Sequence, residues 1–139
     1  MPAALRVLFD LNVILDVLQR REPFYAMSAS ALASAEAGQV EGLVAAHSLT
    51  TLFYLVGRDQ SPEQARVILA ELLRFLAVAG VDRQVIQGAL NLPYRDFEDA
   101  VQMMAAMQAG ATHLVTRNLQ DFRAGPLPVL QPAELVALL

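Results

Sequence analysis

The chain has 139 residues, 55% of them hydrophobic and 17% charged, with a formal net charge of −4. That balance excludes an intrinsically disordered chain and predicts a single domain over residues 1–139 with a sizeable buried core. Cysteine is absent and all ten basic residues are arginine, so disulfides, thiolate metal sites, cysteine nucleophiles, Schiff-base lysines and phosphate-loop lysines are all excluded.

Leu5–Phe9 is an apolar run of strand length, and Asp10-Leu11-Asn12 follows it directly. Val13-Ile14 and Val17-Leu18 then recur at helical spacing, up to a break at Pro23. A second helix is predicted from Phe24 to Ala37, stopped by Gly38. Val40–Ala46 reads as a second strand, with Glu41 and Gly42 weakening its first half. Leu49, Leu52-Phe53 and Val56 mark a helix ending near Gly57. Ser61-Pro62-Glu63-Gln64 has the N-cap, first-turn proline and capping-box glutamine of a helix start, and that helix is expected to reach about Ala77. Val78–Val81 reads as a third strand interrupted by Gly80, Arg83–Leu90 as a short helix and Asp96–Gln108 as a longer one. Thr112–Thr116 is the fourth strand, Pro128-Val129-Leu130 the fifth, and Pro132–Leu139 the last helix.

This alternation predicts a three-layer α/β fold, with a mostly parallel sheet of about five strands flanked by helices and strand one beside strand four. The longest apolar segment, Val67–Val81, contains Glu71 and Arg74 and is too short to span a bilayer. With no signal-peptide pattern either, a cytoplasmic protein without a membrane segment is expected.

In an open parallel sheet, ligands bind where the strand order switches, beyond the carboxyl ends of the strands. Asp10 falls at such an end, which favours a functional carboxylate over a simple helix cap. Asp96-Phe97-Glu98-Asp99 opens a helix, and acids there also suit the helix dipole. Asp99 stands out because Gln102 and Met103 continue its face into apolar packing, where an acid is costly unless paired or metal-bound. Asp99 is therefore a ligand candidate, Asp96 the cap and Glu98 a further possibility. After the fourth strand, Thr116 and Asn118 have groups that orient a water or a phosphate oxygen, and Arg117 suits a phosphate. A plain polar turn accounts for them equally well. Asp121 is either a fourth acid or a loop residue. Ser48 reads as an N-cap beside His47, and no nucleophile elbow surrounds it. Carboxylates gathered on one edge raise each other's pKa unless a cation joins them, and hard oxygen ligands suit Mg²⁺ or Mn²⁺.

Three motifs, in order, carry a resemblance that covers essentially the whole chain. Phe9-Asp10-Leu11-Asn12-Val13-Ile14-Leu15-Asp16, Asp96-Phe97-Glu98-Asp99-Ala100 and Val115-Thr116-Arg117-Asn118-Leu119-Gln120-Asp121-Phe122 resemble those of PIN-domain proteins. The turn Arg21-Glu22-Pro23-Phe24-Tyr25 and the closing Pro128-Val129-Leu130 with its helix look like one bacterial branch of that family. The resemblance implies a PIN-like fold and a VapC-like toxin, a Mg²⁺- or Mn²⁺-dependent ribonuclease acting on RNA, dimeric and held by a small antitoxin protein. It also implies that Asp10 and Asp99 bind the metal, with Asn118 and Thr116 completing the catalytic set. The chain departs from the pattern at Thr51, which stands where such proteins carry another acid, and at Leu11, which replaces a small hydroxyl residue.

Two functions follow. One is a metal-dependent endoribonuclease in which Ser48 or Thr51 replaces the missing acid through a coordinated water. The other is a catalytically reduced PIN domain acting by binding RNA or a partner. A haloacid-dehalogenase phosphatase or a receiver domain would each need a lysine, which the chain lacks.

Overall fold

A computed structural model describes residues 4–123 and 125–139. Its five strands, β1 (Arg6–Phe9), β2 (Glu41–Ala45), β3 (Leu76–Ala79), β4 (His113–Val115) and β5 (Val129–Leu130), form one sheet in the order β3-β2-β1-β4-β5. Every neighbouring pair is parallel. The helices between them are α1 (Leu11–Leu18), α2 (Tyr25–Glu36), α3 (Ala46–Asp59), α4 (Pro62–Leu72), α5 (Arg83–Leu90), α6 (Phe97–Gln108) and α7 (Pro132–Ala137). None of the described helices is long and apolar enough to cross a membrane.

Side chains of a strand alternate between faces, so a sheet buried on both sides builds two cores. Val7 and Phe9 enter one core with Val44, Leu76 and residues of α1, α2, α3 and α4. Leu8 enters the other with Leu43, Ala79, Leu114 and the inner faces of α5 and α6. The expected three-layer architecture and the pairing of β1 with β4 are both present. From β1 the chain winds outward through β2 to β3, then crosses back to β4 on the other side of β1. The switch in strand order therefore lies at the carboxyl ends of β1 and β4, where Asp10 donates its backbone N–H to Val115 O at 2.9 Å.

The junction of α4 with β3 differs from expectation. Helix α4 stops at Leu72 instead of continuing to Ala77, and β3 begins at Leu76 instead of Val78. Sheet pairing wins over helix propensity here: Leu76 and Ala77 are in register with Gly42 and Leu43, and Leu76 is buried. Gly80 consequently lies just past β3 and does not interrupt it. Gly42, a weak strand former by type, is required in β2 by packing. A Cβ there would stand 2.6 Å from Leu76 Cδ2, 2.9 Å from Ala35 Cβ and 3.1 Å from Phe9 Cε2.

Candidate functional site

Asp10 occupies the N-cap position of α1, yet its carboxylate makes no capping hydrogen bond. The side chain instead turns across the sheet end. Thr116 Oγ1 donates to its Oδ2 at 2.8 Å, and Gln102 Nε2 donates to its Oδ1 at 3.0 Å. Thr116 Oγ1 in turn accepts the Asn118 N–H at 3.0 Å, which fixes the direction of the hydroxyl proton. Asp10 is only 2% exposed. Burial raises its pKa above the usual carboxylate range, and the bonds from Gln102 and Thr116 oppose that rise.

Gln102, on α6, is the residue that joins the two candidate acids. Its Oε1 accepts the Leu11 N–H at 3.1 Å, which settles the orientation of the amide because a backbone N–H can only donate. Its Nε2 then spans Asp10 Oδ1 and Asp99 Oδ1, the latter at 3.4 Å. Asp99 is half-buried one turn earlier on α6. Its pKa is pushed up to about 7, mostly by burial and then by the negative charges of Asp10, Asp96 and Asp121. The expected convergence of Asp10 with Asp99 is present.

Asp99 opens onto a cleft of about 450 Å³ lined also by Arg95, Asp96, Phe97 and Asp121, with the buried Asp10 behind it through Gln102. Asp96 caps α6, accepting the Glu98 N–H at 2.9 Å. Asp121 sits in a short 3₁₀ turn, Leu119–Phe122, on the facing wall. Tyr94 clamps the two walls together. Its hydroxyl donates to Phe122 O at 3.0 Å and its ring meets Phe122 edge-on, with centroids 5.9 Å apart.

The remaining candidates fall elsewhere. Ser48 is not an N-cap: α3 starts at Ala46, so Ser48 is in its first turn, buried. His47 likewise belongs to α3 and not to the end of β2, and its Nε2 lies 3.2 Å from Glu98 O. That contact sets the first turn of α3 against the first turn of α6. Thr51 is four residues after His47, so it faces the same side of α3. No hydrogen bond links Ser48 or Thr51 to Asp10 or Asp99. Glu98 is exposed and contributes its backbone carbonyl, not its carboxylate, to this junction.

Arg117 makes its hydrogen bond to Asp16 and not to Asp10 or Asp99, although its charge lowers the Asp10 pKa. Its Nε donates to Asp16 Oδ2 at 2.9 Å, and its guanidinium lies 4.0 Å from the centre of the Phe24 ring. Asp16 is wholly buried, also accepts from Ser28 Oγ at 3.1 Å, and has Arg21 Nη1 at 3.9 Å from Oδ1. Neither Asp16 nor Gln102 received a role from the sequence. The signal for each was an ionic or amide side chain set in an otherwise apolar helical face.

The donor set fits a cation weakly. No group of three acids or histidines with metal-holding geometry exists among the described residues. Two nearby carboxylates joined by one amide, both with raised pKa values, do suit a hydrated Mg²⁺ or Mn²⁺ that keeps several waters.

A family model described as PIN domain matches residues 6–120. No curated protein sequence matches the chain. Among solved structures, a toxin–antitoxin complex from Klebsiella pneumoniae superposes with a TM-score of 0.70 at 20% identity, covering 91% of this chain and 97% of its own. VapBC2 from Rickettsia felis, bound to a DNA fragment from its promoter, gives 0.68 at 17% identity, covering 91% and 98%. VapC20 of Mycobacterium tuberculosis, a toxin that cleaves the sarcin–ricin loop, gives 0.59 at 14% identity, covering 78% and 86%. At these identities the likeness is one of fold.

Proposed function

Since the chain belongs to the PIN domain family, we propose that it is a Mg²⁺- or Mn²⁺-dependent endoribonuclease, the toxin of a cytoplasmic toxin–antitoxin pair with a small antitoxin protein as its partner. One observation carries this reading: a single amide nitrogen reaches both Asp10 and Asp99, so the two carboxylates lie within reach of one hydrated cation. A cation there supplies Lewis-acid polarisation of a phosphoryl oxygen and a more acidic water. Asp10 and Asp99 would hold it. Thr116 fixes the carboxylate plane of Asp10, Asn118 fixes Thr116, and Asp96 and Asp121 add negative charge at the rim of the cleft. One of the structures with this fold is a toxin–antitoxin complex and another is VapBC2, which supports the partner.

The experiment is cleavage of RNA by the wild-type chain and by Asp10→Asn in Mg²⁺, in Mn²⁺ and with chelator. Wild type should cleave only with metal. Asp10→Asn keeps the side-chain shape but removes the charge, and should lose roughly a hundredfold or more, the several kcal/mol expected of lost metal stabilisation.

A second reading has a specific observation in its favour. With Thr51 in place of an acid and no cluster of three carboxylates among the described residues, the domain acts by binding RNA or a partner without cutting. Metal-independent RNA binding with no cleavage by wild type would select it.

We also propose a homodimer, because apolar side chains such as Tyr54, Val67, Leu73 and Leu90 are exposed on the lone chain. Sedimentation at micromolar concentration should give twice the 15.1 kDa chain mass; a monomer throughout would refute it.

A further inference from the structure

The two edges of the sheet are built differently. An edge strand presents unpaired N–H and C=O groups to any other strand, so most are blunted by charge, by proline or by brevity. At one edge, β5 is two residues long and lies between Pro128 and Pro132, which have no N–H to donate. At the other edge, β3 and the two residues after it, Leu76-Ala77-Val78-Ala79-Gly80-Val81, include no proline and no charge. Beyond the pairing with β2, no backbone hydrogen bond reaches residues 76–81 among the described residues. Ala77 and Val78 point to opposite faces of the sheet and are both exposed, Val78 at 46%. A Cβ on Gly80 would meet nothing within 4 Å, so the space beside the strand is open there too.

The charges at its ends decide what this edge fits. Arg74 stands four residues before Val78 and Asp82 four residues after it. An antiparallel pair of identical strands centred on Val78 therefore sets Arg74 of each copy beside Asp82 of the other. Within the chain Arg74 meets only Glu71, with both side chains mostly exposed, an arrangement that contributes little. Asp82 accepts from the Val85 N–H and from Gln108 and has no ion pair among the described residues. The same centring sets Val78 against itself, a β-branched apolar pair suited to a sheet. The two-fold axis stands perpendicular to the sheet, so each face meets its like: α4 beside α4 on one side, α5 beside α5 on the other. Leu73, which ends α4, and Ile86, in the first turn of α5, are exposed apolar residues next to the strand. They extend the contact towards the roughly 1,200 Å² that a stable interface buries. Because β5 is blunted, association closes at two copies instead of growing into a longer sheet.

We infer that the homodimer is built on β3, as one ten-stranded sheet through both copies, with Val78 at the two-fold axis and Arg74 of each chain beside Asp82 of the other. This rests on the homodimer reading and names its surface, and a cysteine scan separates the two. The chain has no cysteine, so Val78→Cys carries a single thiol. Opposed residues of an antiparallel pair have Cα atoms about 4.5 or 5.5 Å apart, and both spacings suit a disulfide. Oxidation with copper–phenanthroline should convert most of the Val78→Cys protein to a linked dimer on a non-reducing gel. Tyr54→Cys, on the exposed face of α3, is the comparison and should stay unlinked. Val78→Lys sets like charges on the axis and should raise the dimer dissociation constant, read by sedimentation, roughly a hundredfold or more. Arg74→Glu should raise it about fivefold at low salt and less at high salt. Far-UV circular dichroism checks that each variant is folded; where Val78→Lys is not, the Val78→Cys result decides.

If wild type is a dimer but Val78→Cys stays unlinked, or a folded Val78→Lys associates like wild type, the β3 surface is wrong and the homodimer stands. Linkage at Tyr54 and not at Val78 moves the interface to α3. An unchanged dissociation constant for Arg74→Glu overturns the register. A wild type that stays monomeric overturns both readings.

Discussion

Asp16→Ala should destabilise the fold by about 3 kcal/mol, the range for removing one partner of a buried ion pair, and lower Tm by roughly 10 °C. Asp16 has no exposure, and its Oδ2 accepts from both Ser28 and Arg117. The alanine leaves Arg117 without its partner, leaves the Ser28 hydroxyl without an acceptor and opens a void in α1. The loss reaches the site through the chain itself. Arg117 lies between Thr116, which donates to Asp10, and Asn118, which donates to Thr116. Freed from Asp16 and from the Phe24 ring, this loop holds Asp10 less firmly, so cleavage by the folded fraction should fall as well. The coupling is measurable as a double-mutant cycle with Arg117→Ala by denaturant unfolding. The double variant should cost far less than the sum of the single ones. Additive losses, or an Asp16→Ala cost within about 0.5 kcal/mol, would show that the pair does not tie the loop to the two helices.

The same pair shows why parts of the site were hidden in the sequence. Asp10 and Asp99 were legible because each ends or begins an element, and the place of an element's end in a parallel sheet follows from topology. Thr116 was legible for the same reason. Asp16 and Gln102 lie inside helices, and their partners are distant in the chain: Arg117 is 101 residues from Asp16, and Asp10 is 92 from Gln102. No local periodicity carries that information. Ser48 illustrates the opposite error. Its type suits an N-cap, but α3 begins directly from β2 at Ala46, leaving Ala45 as a cap without a side-chain acceptor. The boundary between α4 and β3 was obscured because Leu73 to Ala77 suits either element. Registry against Gly42 decides it, and that registry depends on the packing of Leu76, Ala35 and Phe9 around a residue without a side chain.

Mg²⁺-dependent stabilisation should be small near pH 5 and grow to a plateau above about pH 8, because Asp99 must lose its proton before it can hold a cation. Its pKa of about 7 lies above the ordinary value of 3.8, chiefly through burial and then through Asp10, Asp96 and Asp121. The sign for the metal-free protein follows. The contribution of Asp99 to stability is fully present below about pH 4, falls as pH rises towards 7, and is lost above it. Metal reverses this trend by pairing the charge that burial penalises. At a Mg²⁺ concentration about ten times Kd the stabilisation is roughly 1.4 kcal/mol. Thr51→Glu sharpens the test, since Thr51 faces the side of α3 that meets the first turn of α6. A carboxylate there should lower metal-free stability by repulsion from Asp10 and Asp99, and should raise Mg²⁺ affinity by supplying a further ligand. The pH at which metal stabilisation is half-maximal should also move upward, because a third acid makes Asp99 harder to ionise. Thermal unfolding of wild type and Thr51→Glu across pH, with and without Mg²⁺, measures all three effects. A Thr51→Glu protein that gains no more from Mg²⁺ than wild type would place Thr51 outside the site, leaving Asp10 and Asp99 as its only metal-holding acids.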